Sequence, residues 1–547
     1  MAKRLSIFCL LTVVYALGDL AILQAQTAIQ VVAVSGDTDP NGDGTLFIPE
    51  PPAINNAGQV AFQGRFSGTT TVLLGNANGL SNFYREGDIG PGGVEFLNPF
   101  DVAINDNGQV AFSGSLFNPA FDQQLFRYDN ATGLTRLAGE GDPAPGGNGT
   151  LSNFTFDQGF DFNNLGQVSF LSRVENTAGG RNDDWGIFRS DGGGIIEIAR
   201  EGSPGPGTDE QFRSLIGFSN FPMNNNGQVA FFATSERPIE NFTILQDGIF
   251  VGDGTAPATA IARVGDPIIG RNETIGSLAG PPSGINDQGD VLFSAEVSNI
   301  SLSDGLFRSN GNGVTAIVIE GDATPDGGET FDLINDASIN DAGQVLFRST
   351  LSTENSHGIF LGDGNSPLES IAQTGEAAPD GNGVFARFDF GFPESVALNN
   401  NGDVAFAASL TSTSAGTGDT LGIFFEGENG LIQIARTGDA MLGSTIERLR
   451  IGGSSAPRFR AQSGLNDFGQ VAFSFRLADG RDGIAIASTN GGLLGDVSLN
   501  GVMDFLDIAP FISHLSSQTY QFEADIDEDG DVDFMDIAPF IGLLSGS

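Results

Sequence analysis

The chain has 547 residues, 39% of them hydrophobic, a formal net charge of -44 and one cysteine, Cys9. That hydrophobic content excludes a disordered chain, and so acidic a surface repels phosphate backbones, which excludes nucleic acid as a partner. A lone cysteine excludes disulfide staples, so the fold must be held by core packing, by metal, or by both.

At the N-terminus, Lys3 and Arg4 precede an apolar stretch from Ile7 to Leu17, and Ala25 offers a small-residue cleavage point. Residues 1–25 therefore read as a secretory signal peptide, and the protein is expected to be secreted or held at a cell surface. The apolar run is too short to span a bilayer comfortably and is interrupted by Gly18 and Asp19. No other transmembrane segment is expected. Cys9 and the sole lysine, Lys3, would leave with the signal.

Residues 26–490 are built from one repeated unit. INNAGQVAF from Ile54 returns as INDNGQVAF from Ile104, FNNLGQVSF from Phe162, MNNNGQVAF from Met223 and INDQGDVLF from Ile285. INDAGQVLF from Ile339, LNNNGDVAF from Leu398 and LNDFGQVAF from Leu465 complete eight copies. Each copy is followed by a short strand such as GIFRSDG from Gly186 and then by one such as IIEIAREG from Ile195. With the segment before NxxG, that makes four short strand candidates per unit, the pattern of an antiparallel propeller blade. An open solenoid of hairpins is the alternative.

The ends favour a ring. IQVVAVSGD from Ile29 has the form of an IAR strand with no GIF strand before it, while the last unit stops at GIAIASTNGG from Gly483 without an IAR strand. The expected fold is thus all-β, an eight-bladed β-propeller closed by its N-terminal strand, followed by a small α-helical domain. Within INDNGQVAF, Gly108 is expected at positive φ, Asn105 bonded to nearby backbone, and Val110 and Phe112 on one strand face. A stretch of Asn, Asp and Gln that occurs eight times reads as punctuation between strands rather than as an active site.

The NxxGQVAF motif resembles the tandem NxxGxxAF repeat of bacterial secreted choice-of-anchor proteins, over about residues 29 to 490. The resemblance implies extracellular or surface display through a C-terminal sorting device, and implies no reaction.

Residues 491–547 change in texture. Two acidic 12-residue loops each run into a helical pattern. In the second, Asp525, Asp527, Asp529 and Asp533 fall at alternate positions, the carbonyl of Asp531 is available at position seven, Asp536 closes the loop at position twelve, and Gly530 occupies the sharp turn. The first repeats this with Asp496, Ser498, Asn500, the carbonyl of Val502, Asp504 and Asp507. Oxygen ligands at this spacing wrap a hard cation, so two calcium ions are expected, one per loop. Ile508, Phe511, Ile512 and Leu515, and again Ile537, Phe540, Ile541 and Leu544, fall at helical spacing and are expected to bury against each other. Pro510 and Pro539 suit first helical turns.

This duplicated loop-helix resembles a type I dockerin over about residues 495 to 547, which implies calcium in both loops and docking to a cohesin-like partner. The usual Ser-Thr pair at loop positions ten and eleven is replaced by Phe505 and Leu506, and by Phe534 and Met535. A sorting or attachment protein is therefore the broader expectation.

Chemistry is sparse elsewhere. His357 and His514 are the only histidines, and metal-protease, nucleophile-elbow and phosphate-loop motifs are absent. Carboxylates such as Glu86 and Asp88, Glu140 and Asp142, and Glu320 and Asp322 recur at one place in the unit, as scaffold features do, whereas a unique active site should break the repeat. Arg85, Arg200, Arg263 and Arg436 recur beside them, either in repeated ion pairs or as a ring of sites around a central channel. With one tryptophan, Trp185, there is little platform for sugar, and the 45 phenylalanines read as core between blades. The resulting expectation is a non-catalytic binding or structural propeller, with an extracellular polysaccharide or protein as ligand. The alternative is a polysaccharide-degrading enzyme, an O-glycosyl hydrolase or lyase, delivered by the same tail.

Overall fold

In the computed structural model, the residues described are 28–38, 44–48, 51–76, 79–91, 93, 95–117, 122–154, 159–215, 221–240, 242–278, 280–298, 303–388, 396–416, 418–452 and 463–489, and in the tail 497, 507–517, 524, 526, 532, 534–537, 540, 541 and 544. Among them the strands form eight antiparallel sheets of four or five strands, one per NxxG copy. They are numbered here as blades 1 to 8. The signal-peptide reading of residues 1–25 lies outside the described residues, and no described helix is long and apolar enough to cross a membrane.

Blade 2 shows the pattern. Phe96–Ile104, Val110–Leu116, Asp122–Asp129 and Gly133–Gly139 pair in sequence order. Phe112 lies opposite Phe126, their ring centroids 5.5 Å apart. The QVAF run is apolar on both faces because both faces are covered. Val110 and Phe112 join a core with Val72 and Phe96 on one side, while Ala111 joins Phe162 and Phe170 on the other. The phenylalanines are therefore inter-blade core, as composition implied. The glycine of GIF has a packing role: a Cβ at Gly186 would stand 2.5 Å from the ring of Phe188, which folds over it.

The seam closes as the sequence predicts. Ala28–Val34 pairs antiparallel with Asp482–Ser488, Ala28 opposite Ser488 and Val34 opposite Gly483, completing blade 8 around Ser444–Ile451 and Gln470–Leu477. Each end of the chain supplies what the other lacks, so blade 8 gains the outer strand that every other blade has.

The NxxG turns go beyond punctuation. All eight NxxG glycines have positive φ, Gly108 at +71°, and Asn105 Oδ1 accepts the Gln109 amide at 2.9 Å. The Nδ2 of Asn105 also donates to the carbonyl of Asn163 in the next blade at 3.0 Å. The same bond runs from Asn55 to Asn105, Asn163 to Asn224, Asn224 to Asn286, Asn286 to Asn340, Asn340 to Asn399, and Asn399 to Asn466. Asn466 then donates to Asn55, which closes the circle. A second circle is made by the next residue of each turn. The Asp106 amide donates to Asn164 Oδ1 at 3.0 Å, and the series ends with the Asp467 amide on Asn56 Oδ1 at 2.9 Å. All eight asparagines of the first circle are buried, so a missing partner would leave a desolvated polar group costing about 1–3 kcal/mol. Blade-to-blade order is written into the motif.

In the tail, Ile508–Ser517 is an α-helix. Residues from both halves share one small core, in which Phe511 and Phe540 stack with centroids 4.0 Å apart. Ile508, Leu515, Ile537 and Leu544 pack against it. Ile512 and Ile541 do not: they are 55% and 59% exposed. The stacked rings at i+3 turn each stripe away from the i+4 position, which corrects the expected faces.

Candidate functional site

Two cavities bear on function. The axial one, about 110 Å³, is lined by the NxxG turns, including Asn56, Asp106, Asn164, Asn225, Asn400 and Asp467. Its NxxG side chains are engaged in the two hydrogen-bonded circles and in bonds between them; Asn164 Nδ2, for example, holds Asp106 Oδ2 at 2.8 Å. No arginine lines it. The reading of Arg85, Arg200, Arg263 and Arg436 as a ring around a central channel is thereby corrected: at the ends of the IAR strands Arg263 pairs with Glu210 at 2.7 Å and Arg436 with Asp380 at 2.9 Å, Arg200 bonds backbone carbonyls, and Arg85 lies over the Phe66 ring. The recurring acids have a scaffold role too. Asp88, Asp142, Asp266, Asp322 and Asp439 each accept the amide three residues earlier.

The second cavity, about 610 Å³, lies between blades 3 and 4 and breaks the repeat. Its wall begins with a clasp in blade 3. The loop from Thr177 to Asp183 is folded by Thr177 Oγ1 on Asp183, while Asn148 donates to Asp183 Oδ2 at 2.8 Å and accepts the Ala178 amide at 2.7 Å. Arg200, buried, donates to the carbonyls of Asp183 and Asn148, both at 2.8 Å. Burial works against the Asp183 charge, but hydrogen bonds from Thr177, Asn148 and Gly179 hold its carboxyl below the usual range.

Behind this clasp sits Glu201, 4% exposed. Burial, with the neighbouring Asp184 carboxylate, pushes it up to about 7, against the pull of the Leu215 amide and Arg213. In blades 6 and 7 the side chain at this position accepts the amide that begins the GIF strand, as Thr374 does from His357 and Thr437 from Leu421, both at 3.1 Å. The Glu201 carboxyl instead takes the Leu215 amide at 3.4 Å. Ser203 replaces the usual acid and accepts the Arg200 amide at 2.9 Å. Blade 4 supplies Gln211, Arg213 and Glu236: Gln211 donates to Glu236 at 2.5 Å, and Arg213 lies 3.6 Å from it. A near-neutral acid in a polar cavity can donate a hydrogen bond or a proton.

Of the twelve predicted calcium ligands, Asp525, Asp527, Asp529, Asp531, Asp533, Asp496, Ser498, Asn500, Val502 and Asp504 lie outside the described residues. Asp507 and Asp536, the two loop-closing positions, are both fully buried, and Asp536 Oδ1 accepts the Ile526 amide at 2.6 Å. Among the described residues no group of three His, Cys, Asp or Glu side chains could hold a metal. His357 and His514 are partly buried and line neither cavity. Sequence reasoning missed Glu201 as a special residue because it shares the repeated REG position; the signal was Ser203, where every other unit keeps an acid.

The family of unknown function DUF7453 matches residues 76–490, which leaves the first NxxG copy and the tail outside the match. No curated protein matches the chain in sequence. Among solved structures it is similar to the β-propeller domain of the Trilobed protease from Pyrococcus furiosus, with 12% identity and a TM-score of 0.35 over 72% of this chain and 99% of that one. An oligogalacturonate lyase in complex with manganese follows at 11% identity and a TM-score of 0.33, over 84% and 97%. A Mycobacterium tuberculosis puromycin-hydrolyzing peptidase, at 12% identity and a TM-score of 0.34, is covered over 59% of its length by 83% of this chain.

Proposed function

We propose that this chain, which belongs to the family of unknown function DUF7453, is a secreted or surface-displayed propeller that binds or scaffolds without catalysis and is attached through a calcium-binding tail. The observation that carries the reading is the axis: all eight units place the same Asn side chain in the same inter-blade bond, so the centre of the ring is engaged in holding shape. A rigid ring of this kind presents a fixed surface for binding.

The tail supports attachment. Two fully buried carboxylates at equivalent loop positions, under a core shared by both halves, stand where the closing ligands of two cation loops would. Asp507 and Asp536 would hold the ion together with the loop oxygens at Asp496, Ser498, Asn500, Val502 and Asp504, and at Asp525, Asp527, Asp529, Asp531 and Asp533. Bound calcium would neutralise the loops and order the tail for a cohesin-like or sorting partner. The full-length chain is expected to take up calcium with a calorimetric heat and a gain of helical circular dichroism. Asp507→Ala with Asp536→Ala should abolish both while leaving the β signal of the ring unchanged. Equal uptake by the double variant would remove this role for the tail.

A second reading is a polysaccharide-degrading enzyme, favoured by one observation: the buried Glu201 beside Asp184 in a large polar cavity. Release of shortened or unsaturated sugar from a polysaccharide panel by the full-length protein would replace the non-catalytic reading with this one.

A further inference from the structure

The blade 3 clasp has a counterpart four blades away, and the pair acts as an internal control. In blade 7, Thr413 holds Asp419, Asn382 donates to Asp419 at 3.0 Å, and Arg436 donates to the carbonyls of Asp419 and Asn382, both at 2.6 Å. The scaffold is the same bond for bond. The side chains it carries differ: Gly146, Asp184, Trp185, Glu201 and Ser203 stand where blade 7 has Asp380, Thr420, Leu421, Thr437 and Asp439. Asp380 fills its space with an ion pair to Arg436 at 2.9 Å, and Gly146 has no side chain to do so. Across the gap, Arg213 and Glu236 of blade 4 stand where blade 8 has Glu447 and Ala478. Scaffold needs alone do not account for these differences, since blade 7 meets them without any of these groups.

The chemistry of the wall narrows the ligand. A cavity of about 610 Å³ accommodates one or two sugar rings. Its groups are hydrogen-bonding ones: Gln211, Glu236, Arg213, Ser203 and the Glu201 carboxyl, whose burial favours the neutral, donating form. Arg200 is committed to the clasp and Arg213 is faced by Glu236, so no surplus positive charge is offered to an anion, and a net charge of -44 repels uronates and sulfates at a distance. We infer that the cavity between blades 3 and 4 is the ligand site of this propeller and takes a neutral saccharide unit, read by Glu201, Gln211, Arg213 and Glu236. The inference rests on the binding-module reading above and names where and what the ring binds.

Trp185 is the only tryptophan, and its partly buried side chain packs against the core that holds Phe212 of the cavity wall, so intrinsic fluorescence reports on this site. The full-length protein is titrated with neutral gluco-, galacto-, manno- and xylo-oligosaccharides, with uronate, sulfated and chitosan oligomers as charged probes. At least one neutral series is expected to shift Trp185 emission saturably. E201T/S203D, which installs the blade 7 residues on the same scaffold, should weaken that binding at least tenfold with the thermal transition preserved, and E201Q, which keeps a neutral donor, should retain it. Equal binding by E201T/S203D, a response to charged probes alone, or no response to any neutral series overturns the inference. Product release by the wild type would instead overturn the non-catalytic reading and leave the site in place.

Discussion

Blades 3 and 7 carry the same clasp and have put it to different ends. Both fold a loop by Thr on Asp, tie it with an Asn across the sheet, and lock it with a buried arginine on two carbonyls. In blade 7 Thr437 is bonded to backbone, and the space beside the clasp holds the Asp380–Arg436 ion pair. In blade 3 it is left open and lined by a buried acid. Equivalent scaffolding in a repeat protein thus separates what the fold needs from what has been added to it, a separation that a single copy could not provide.

The shared part should respond alike in both blades. Arg200→Ala and Arg436→Ala each remove the two shared bonds to carbonyls from a side chain that is 4% or 2% exposed, and each should destabilise the ring by about 3 kcal/mol, with the Asp380 ion pair lost in addition from Arg436→Ala. Chemical denaturation of the two variants checks this; a cost confined to one blade would show that the clasps are not equivalent. A smaller matched loss, about 1–2 kcal/mol, is expected from Gly149→Ala and Gly383→Ala. These glycines have φ of +101° and +105°, and an added Cβ would lie 2.5 Å from the Glu175 carbonyl and 2.8 Å from the Thr411 carbonyl.

How legible each region was follows from the kind of bond that makes it. Four strands per unit, the eightfold count and the seam could be read because QVAF, GIF and IAR repeat locally and IQVVAV begins out of phase. The inter-blade role of Asn105 could not, because its partner is the carbonyl of Asn163, 58 residues away, and no sequence pattern states which backbone atom a side chain will meet. The site was concealed by the repeat itself. Glu201 occupies a position where Glu86, Glu140 and Glu320 also stand, and only the loop that buries it and the substitution at Ser203 set it apart. In the tail the periodicity marked Phe511 and Phe540 correctly but overextended the stripe to Ile512 and Ile541, since helical spacing gives an arc and the partner decides where the arc is centred.

An effect of similar size is the most specific to blade 3. Glu201 goes from about 4.5 in the unfolded chain to about 7 in the folded one, so between those pH values the folded protein holds a proton that the unfolded chain has released. Stability from this group is therefore complete below about pH 4.5, falls as pH rises, and reaches its full deficit above about pH 7. The full shift corresponds to about 3 kcal/mol, which solvent reaching the cavity lowers to roughly 1–2 kcal/mol. E201Q cannot ionise, so its denaturation midpoint should match the wild type near pH 4.5 and exceed it at pH 8. Thr437 gives blade 7 no ionisable group at the equivalent position, so Thr437→Val should leave the pH profile unchanged in shape. A pH-independent difference between E201Q and wild type would mean that the Glu201 carboxyl is solvated like any surface acid, and blade 3 would then differ from blade 7 in residues but not in chemistry.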